Sequence, residues 1–336
     1  MRLLPLWFLL APVLLPGAKT LDIYFIDVEG GAATLVVTPE KESLLMDAGW
    51  RREGDRDAKR IVEVAVRQAG LKKIDYFFTS HYHGDHFGGL PALAARIPIG
   101  KFVDHGDRVG PPGRNDGGQW EAYRKLSEGK RWSVKPGDKL PWKRVAVTIV
   151  SSDGQVLPRP LRPQAANPQC ANAVLKDPDP GEDARSVGFL VSLGKFEFLD
   201  LGDLSWNKEH ELACPENRLG EVDLYQVTMH GMPMSGAPQQ VWSAKPTVAV
   251  MNNGPRKGGA PAAYEVVRRS PGLQDLWQVH YAMAADQAHN TDERLIANLT
   301  AEQECAGHWL RVSVERSGKY TVFNSRNGFR KSYVAK

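Results

Sequence analysis

The run Ile74-Asp75-Tyr76-Phe77-Phe78-Thr79-Ser80-His81-Tyr82-His83-Gly84-Asp85-His86 decides how this chain is read. Its first half is a short apolar block rich in aromatic residues, which reads as a buried strand. Its second half packs four side chains that ligate first-row metals, His81, His83, Asp85 and His86, into one turn. A strand that ends in such a turn aims several imidazoles at one point, because the turn fixes the backbone while the side chains converge. Alternation puts His81 and His83 on one side, and Asp85 and His86 reach round from the start of the next helix. Neutral imidazole and carboxylate oxygen suit Zn²⁺, and less exclusively Mn²⁺ or Fe²⁺. The bland alternative is a polar loop that happens to be rich in histidine.

Composition sets the outer bounds. A chain of 336 residues has room for one large α/β domain or two small ones. Apolar residues make up 42% and charged residues 24%, which excludes wholesale disorder. A net charge of +4 is compatible with an anionic substrate without demanding one. Met1-Arg2, the apolar stretch from Leu3 to Leu15 and the small residues Pro16-Gly17-Ala18 read as a secretory signal over residues 1–18, with an uncleaved anchor as the alternative. The expected location is therefore secreted or periplasmic. No other segment approaches spanning length, so no stable membrane insertion is expected after signal cleavage. Cys170, Cys214 and Cys305 fit an exported protein with at most one disulfide. Cys170 and Cys214 flank the same predicted strands and are candidates to pair. None of the three lies in a ligand-like cluster, which argues against a thiolate metal site.

Outward from the histidine turn, the pattern alternates strands and helices. Strands are predicted over Leu21–Val28, Ala33–Thr38, Ser43–Asp47, Lys101–Asp104 and Val145–Val150, with helices over Asp57–Ala69, Leu90–Arg96 and Trp120–Glu128. Ser151–Arg185 holds six prolines and no periodicity, and is read as a lid rather than a linker. Strands resume over Ser186–Leu193 and Lys195–Leu201. The second half repeats the β-then-α order as far as a helix predicted over Glu293–Leu299, with Thr291 as its cap. Three antiparallel strands close the chain, turned at Ser317-Gly318 and Asn327-Gly328. Two βα-rich halves around one ligand cluster predict an α/β protein built as a four-layer αββα sandwich. The main domain is expected over 19–308, with 309–336 as a C-terminal antiparallel β extension packed on it.

A dinuclear site needs more ligands than the first turn holds. Asp203 follows the apolar strand Phe196–Leu201, and His230 follows Asp223–Thr228 in the same way. A carboxylate at such a strand end can bridge two cations about 3.5–4 Å apart. At this point the chain resembles the metallo-β-lactamase superfamily, from about Leu21 to His280. Within it, the chain is most similar to the secreted hydrolase domain of ComEC-type DNA-uptake proteins. Phe25-Ile26-Asp27-Val28-Glu29-Gly30-Gly31-Ala32-Ala33, Leu44-Leu45-Met46-Asp47-Ala48-Gly49, Phe78-Thr79-Ser80, Arg185-Ser186-Val187 and His230-Gly231 carry the closer likeness.

The resemblance implies that His81 and His83 hold a first metal, that Asp85, His86 and His230 hold a second, and that Asp203 bridges. The family's usual third histidine for the first metal is missing from Glu182-Asp183-Ala184-Arg185-Ser186, and Asp183 is the residue expected to fill the gap. Asp47 is expected to orient a ligand histidine rather than to bind metal. His105 and His280, at strand ends, are candidate substrate contacts. Met229 is read as a packing residue, and His210, His289 and His308 as solvated. Arg51, Arg52, Arg56, Arg108 and Arg114 lie in loops expected to rim the site and are candidates to hold phosphates.

Such a centre activates water, with Asp85 or Asp203 as the catalytic carboxylate that orients it and passes its proton onward. The expected activity is a secreted metal-dependent hydrolase acting on a phosphodiester or similar ester, with nucleic acid or a small molecule as substrate. β-Lactam or lactone opening is the rival within the same class, and a metal-depleted binding module is the rival outside it.

Overall fold

Alternation along the first strand sets the layering. Leu21, Ile23 and Phe25 of β1 (Leu21–Phe25) enter one buried cluster while Tyr24 enters another on the opposite face. The structure, a computed structural model, describes residues 20–110, 118–301 and 305–336. The predicted signal over residues 1–18 and Arg114 lie outside the described residues.

The chain continues through β2 (Thr34–Val37), β3 (Ser43–Met46), α1 (Arg56–Val62), β4 (Ile74–Phe78), α2 (Gly84–Phe87) and α3 (Leu90–Ala94). There follow β5 (Ile99–Asp104), α4 (Gln119–Ser127), β6 (Arg131–Ser133), β7 (Ala146–Ser152) and β8 (Gln155–Val156). The second half holds β9 (Gly188–Leu193), β10 (Phe196–Asp200), α5 (Trp206–Ala213), β11 (Leu224–Gln226), α6 (Pro238–Ala244) and β12 (Val248–Met251). It ends with α7 (Pro261–Arg268), β13 (Asp275–His280), β14 (Ile296–Asn298), β15 (Leu310–Val314), β16 (Lys319–Asn324) and β17 (Arg330–Val334).

Among the described residues, seventeen strands form two sheets. One runs β17-β16-β15-β1-β2-β3-β4-β5-β6 and the other β14-β13-β12-β11-β10-β9-β7-β8. They pack through Phe25 against Phe198 at 5.8 Å and Phe78 against Phe189 at 5.7 Å, both edge to face. The first sheet buries its outer face under α1, α3 and α4, and the second under α5, α6 and α7. The result is the expected αββα sandwich. The three final strands continue the first sheet as an antiparallel run that begins with β15 beside β1, so they are part of the sheet itself.

Two expectations fail. The helix expected over Glu293–Leu299 is one 3₁₀ turn, Glu293–Leu295, followed by β14 paired parallel to β13. Its cap is Asp292, which accepts from Arg294 N, not Thr291. The apolar trio Leu295-Ile296-Ala297 has no helical face to bury, and pairing with β13 places Ile296 and Ala297 in the interior. The helix α5 has no predicted counterpart, because Trp206-Asn207-Lys208-Glu209-His210-Glu211 is mostly polar and hides its period. The proline-rich segment over 151–185 is irregular but anchored. Cys170 is disulfide-bonded to Cys214, and buried Asn167 donates to Ala213 O and Gln239 O. No helix among the described residues is long and apolar enough to cross a membrane.

Candidate metal centre

Parallel pairing of β3 with β4 and of β10 with β11 puts the carboxyl ends of strands from both sheets at one edge. Asp47 leaves β3 there, His81 follows β4, Asp203 follows β10 and His230 follows β11. The turn at His230 is tight: Met229 and His230 have φ of 52° and 56°, in the left-handed region. Glycine is required opposite it, since a Cβ on Gly258 would lie 2.2 Å from His230 O.

Asp85, His86, Asp203 and His230, all buried, converge with one ligand atom each. His86 Nε2 lies 3.1 Å from Asp85 Oδ2, 3.2 Å from Asp203 Oδ2 and 3.3 Å from His230 Nε2. His230 Nε2 lies 3.4 Å from Asp85 and 3.3 Å from Asp203. Ligands held tetrahedrally at roughly 2.0–2.2 Å from a metal stand about 3.3–3.6 Å apart, so the spacing fits a zinc-sized cation. Asp47 Oδ2 accepts from His86 Nδ1 at 2.7 Å and from Ser80 Oγ at 2.7 Å, and Asp47 Oδ1 accepts from Ser80 N at 2.8 Å. This fixes the His86 tautomer and presents Nε2 to the centre, the role expected of Asp47. Burial alone would raise the Asp203 and Asp85 carboxyls, yet His86 and His230 hold both well below the usual carboxylate range. Burial would likewise lower His86, but Asp203, Asp85 and Asp47 push it well above the usual imidazole range. A field that favours one proton on His86 favours a divalent cation among these atoms more strongly.

His81, His83 and Asp183 form a second convergence. Asp183 Oδ1 lies 3.2 Å from His81 Nε2 and 3.0 Å from His83 Nδ1, and those nitrogens are 2.9 Å apart. Buried Asp183 Oδ1 makes no well-formed hydrogen bond despite these approaches, the arrangement expected of converging ligands. Burial would raise Asp183, but His81 and His83 hold it below the carboxylate range. His81 and His86 are adjacent, with ring centroids 4.1 Å apart, so the two sets share one wall. Glu182 latches the segment that brings Asp183. It accepts from Tyr82 N at 3.0 Å, from Val109 N at 2.5 Å and from His105 Nε2 at 3.0 Å, and these contacts outweigh burial and hold its carboxyl down at about 2.

Other expected contacts lie elsewhere. His105 is 3% exposed and committed to Glu182, so it is a buried latch partner rather than a rim contact for substrate. His280 is fully buried and joins Asp27, Glu29 and Cys305 in a separate cluster, not the candidate centre. There Arg60 Nη1 pairs with Asp27 at 2.9 Å and Glu29 at 3.2 Å, so a guanidinium already supplies the countercharge. Arg56 is paired with Asp57 at 2.6 Å instead of facing the cleft. Met229 is 2% exposed, as a packing residue should be. His210, His289 and His308 are half-buried rather than fully solvated.

Three contributors were not anticipated. Ser80, beside the histidines in sequence, ties Asp47 to His81 and His86. Glu182 sits next to Asp183 in the slot already noted for its missing histidine. Lys257, in the glycine-rich loop Asn252-Asn253-Gly254-Pro255-Arg256-Lys257-Gly258-Gly259, donates to Asp85 Oδ2. Two cavities flank the centre. One of about 620 Å³ reaches Asp183, Trp206 and Met229, and one of about 450 Å³ is lined by Trp50, Arg51, Arg52 and Gln119.

Residues 26–162 match the family model described as metallo-beta-lactamase superfamily. The chain is 26% identical to ribonuclease Z of Methanosarcina acetivorans over 48% of this chain and 48% of that protein. It is 32% identical to ribonuclease Z of Picrophilus torridus over 30% of this chain and 32% of that one. The chain thus spans about half, or less, of the length of the curated relatives it matches. Among solved structures, CmlA, a diiron β-hydroxylase from Streptomyces venezuelae, aligns at TM-score 0.43 and 14% identity over 78% of this chain and 48% of that one. A metallo-β-lactamase from Cronobacter sakazakii aligns at TM-score 0.34 and 16% identity over 55% and 60%.

Proposed function

We propose that this chain, with its metallo-β-lactamase-like region and αββα fold, is an exported, metal-dependent hydrolase of phosphodiesters or similar esters. One observation carries the hydrolase reading: two adjacent ligand sets, His81/His83/Asp183 and Asp85/His86/Asp203/His230, converge where strands of both sheets end. A pair of divalent cations, zinc first among them, would supply Lewis acidity and water activation near neutral pH. Asp85 and Asp203 present carboxylates that hold the attacking water in line and carry its proton away. Asp47 and Ser80 keep His86 from rotating, and Glu182 keeps Asp183 in place.

The phosphodiester preference draws on the ribonuclease Z relatives and on Arg51 and Arg52 in the cavity beside the turn at Asp85. The ComEC-type likeness of the flanking motifs points the same way. The Cys170–Cys214 disulfide supports an oxidising compartment and hence export. The test is a panel of bis(p-nitrophenyl) phosphate, a chromogenic cephalosporin and a lactone, assayed with metal content measured and with added Zn²⁺ or Mn²⁺. The phosphodiester should be cleaved fastest, and chelation should abolish turnover. Preferential opening of the cephalosporin or lactone would reassign the substrate. Protein that takes up no metal and hydrolyses nothing would end the enzyme reading.

A further inference from the structure

One long-stemmed cation enters the Asp85/His86/Asp203/His230 set from the solvent side. Lys257 Nζ donates to Asp85 Oδ2 and lies 5.3 Å from the centroid of the Trp50 ring. The Arg52 guanidinium lies 4.8 Å from the same ring. The Lys257 side chain is 28% exposed and that of Asp85 only 8%, so the lysine links the buried set to its mouth.

The backbone under Lys257 is clamped. Gly254 N donates to Lys257 O at 2.8 Å and closes the loop on itself. A Cβ on Gly258 would strike His230 O, one on Gly254 would lie 2.5 Å from Glu29 C, and one on Gly30 would lie 2.8 Å from Lys257 Cβ. Only glycine tolerates these approaches, and together they hold the lysine between the His230 turn and the turn at Glu29. Neutralising Asp85 is too small a task for such a fixture, because His86 and His230 already face that carboxylate at 3.1 and 3.4 Å. A divalent cation on Asp85 would also repel an ammonium at hydrogen-bond distance. The flexible four-carbon stem then lets the charge turn toward the mouth and the Trp50 ring.

On the reading of this protein as a phosphodiester hydrolase, the geometry points to Lys257 as the residue that binds the non-bridging oxygen of the substrate phosphate. Trp50 and Arg52 direct the flanking group into the 450 Å³ cavity that starts at the tryptophan. Gln119, on the far wall, lies next to the Gly84 turn, so the cavity borders the ligand turn directly. An ammonium is a suitable point-charge partner for a phosphate oxygen, and a charged hydrogen bond of about 1.5–3 kcal/mol corresponds to roughly 10- to 100-fold in rate or affinity.

The test compares Lys257→Met and Lys257→Arg with the wild type, each loaded with Zn²⁺ and checked for metal content. The kcat/KM ratio for bis(p-nitrophenyl) phosphate over p-nitrophenyl acetate should fall about 10- to 100-fold in Lys257→Met and recover in part in Lys257→Arg. Binding of diphenyl phosphate, read by calorimetry, should weaken by a similar factor at equal metal content. A metal content that falls with Lys257→Met while both substrates lose activity equally would make the lysine a prop for Asp85 and overturn the assignment. If the wild type hydrolyses neither substrate, the hydrolase reading fails, and the calorimetry alone judges the subsite. Diphenyl phosphate that fails to bind, or binds the Lys257→Met variant equally well, then overturns it.

Discussion

The two ligand sets share a wall, His81 against His86, and are built differently. Every member of the Asp85/His86/Asp203/His230 set is buried, two carboxylates face two imidazoles, and Asp47 with Ser80 fixes one ring. In the other set His83 keeps 49% of its side chain exposed, one carboxylate serves both imidazoles, and that carboxylate arrives on a single 3₁₀ turn, Asp183–Arg185, latched by Glu182. The difference teaches that ligand count alone does not set affinity. The groups that hold the ligands do, since outer hydrogen bonds to metal ligands are worth about 10- to 100-fold in metal affinity. On the proposed reading, the buried set is therefore expected to hold its metal more tightly than the His81/His83/Asp183 set.

The comparison breaks if both sets respond alike to truncation. His230→Ala should abolish binding at the tight site and lower turnover by about 10³-fold, in line with several kcal/mol from a lost metal function. Asp183→Ala should cost less, about 10- to 100-fold, and remove only the weaker binding event in a metal titration. Equal losses would erase the asymmetry. Asp183→His sharpens it: a third imidazole in place of the carboxylate should raise occupancy of the His81/His83 set by Zn²⁺ relative to wild type, measured by metal analysis at limiting Zn²⁺.

Two buried glutamates extend the contrast to pH. Glu182, beside Asp183, is held down at about 2, mainly by His105 and two backbone amides acting against burial. A depressed carboxyl stabilises the fold above its unfolded value near 4.3, and that contribution is lost as pH falls toward 2. Glu209 is pushed up to about 7 by burial, against the opposing pull of the Ala237 and Gly236 amides, Thr228 and the Lys176 charge. A raised carboxyl does the reverse: its contribution is complete below about 4.3 and is lost as pH rises through 7. Each shift corresponds to about 3 kcal/mol. Glu182→Gln should therefore lower stability at pH 7 while mattering little at pH 2. Glu209→Gln should flatten the decline in stability between pH 5 and 8. Denaturant melts across pH check both, and a Glu209→Gln variant that keeps the wild-type slope would contradict the burial argument.

Much of this was legible in the sequence because it rests on local patterns. The apolar block from Ile74 to Phe78 announces its strand, and the turn that follows announces its ligands. Asp203 and His230 follow apolar strands of their own, so their convergence could be expected from position. The glycine turns and alternation at the C-terminus likewise give three strands with small shifts at their ends. What escaped depends on tertiary partners. Ile296-Ala297-Asn298 became a strand because β13 offered an unpaired edge, which no local period reveals. His105 and His280 stand at strand ends as predicted, yet the chain folds Glu182 over one and seals the other against Glu29, and neither partner is near in sequence. Lys257 was hidden because a lysine in a glycine-rich loop resembles any solvated lysine until Asp85 is placed beside it.

The claim that the centre is one tight and one weaker site is tested most directly by titrating metal-free protein with Zn²⁺ against a chromogenic chelator. The account predicts two separable binding events, the tighter abolished by His230→Ala and the weaker by Asp183→Ala. A single event, or two that survive both substitutions, would contradict it.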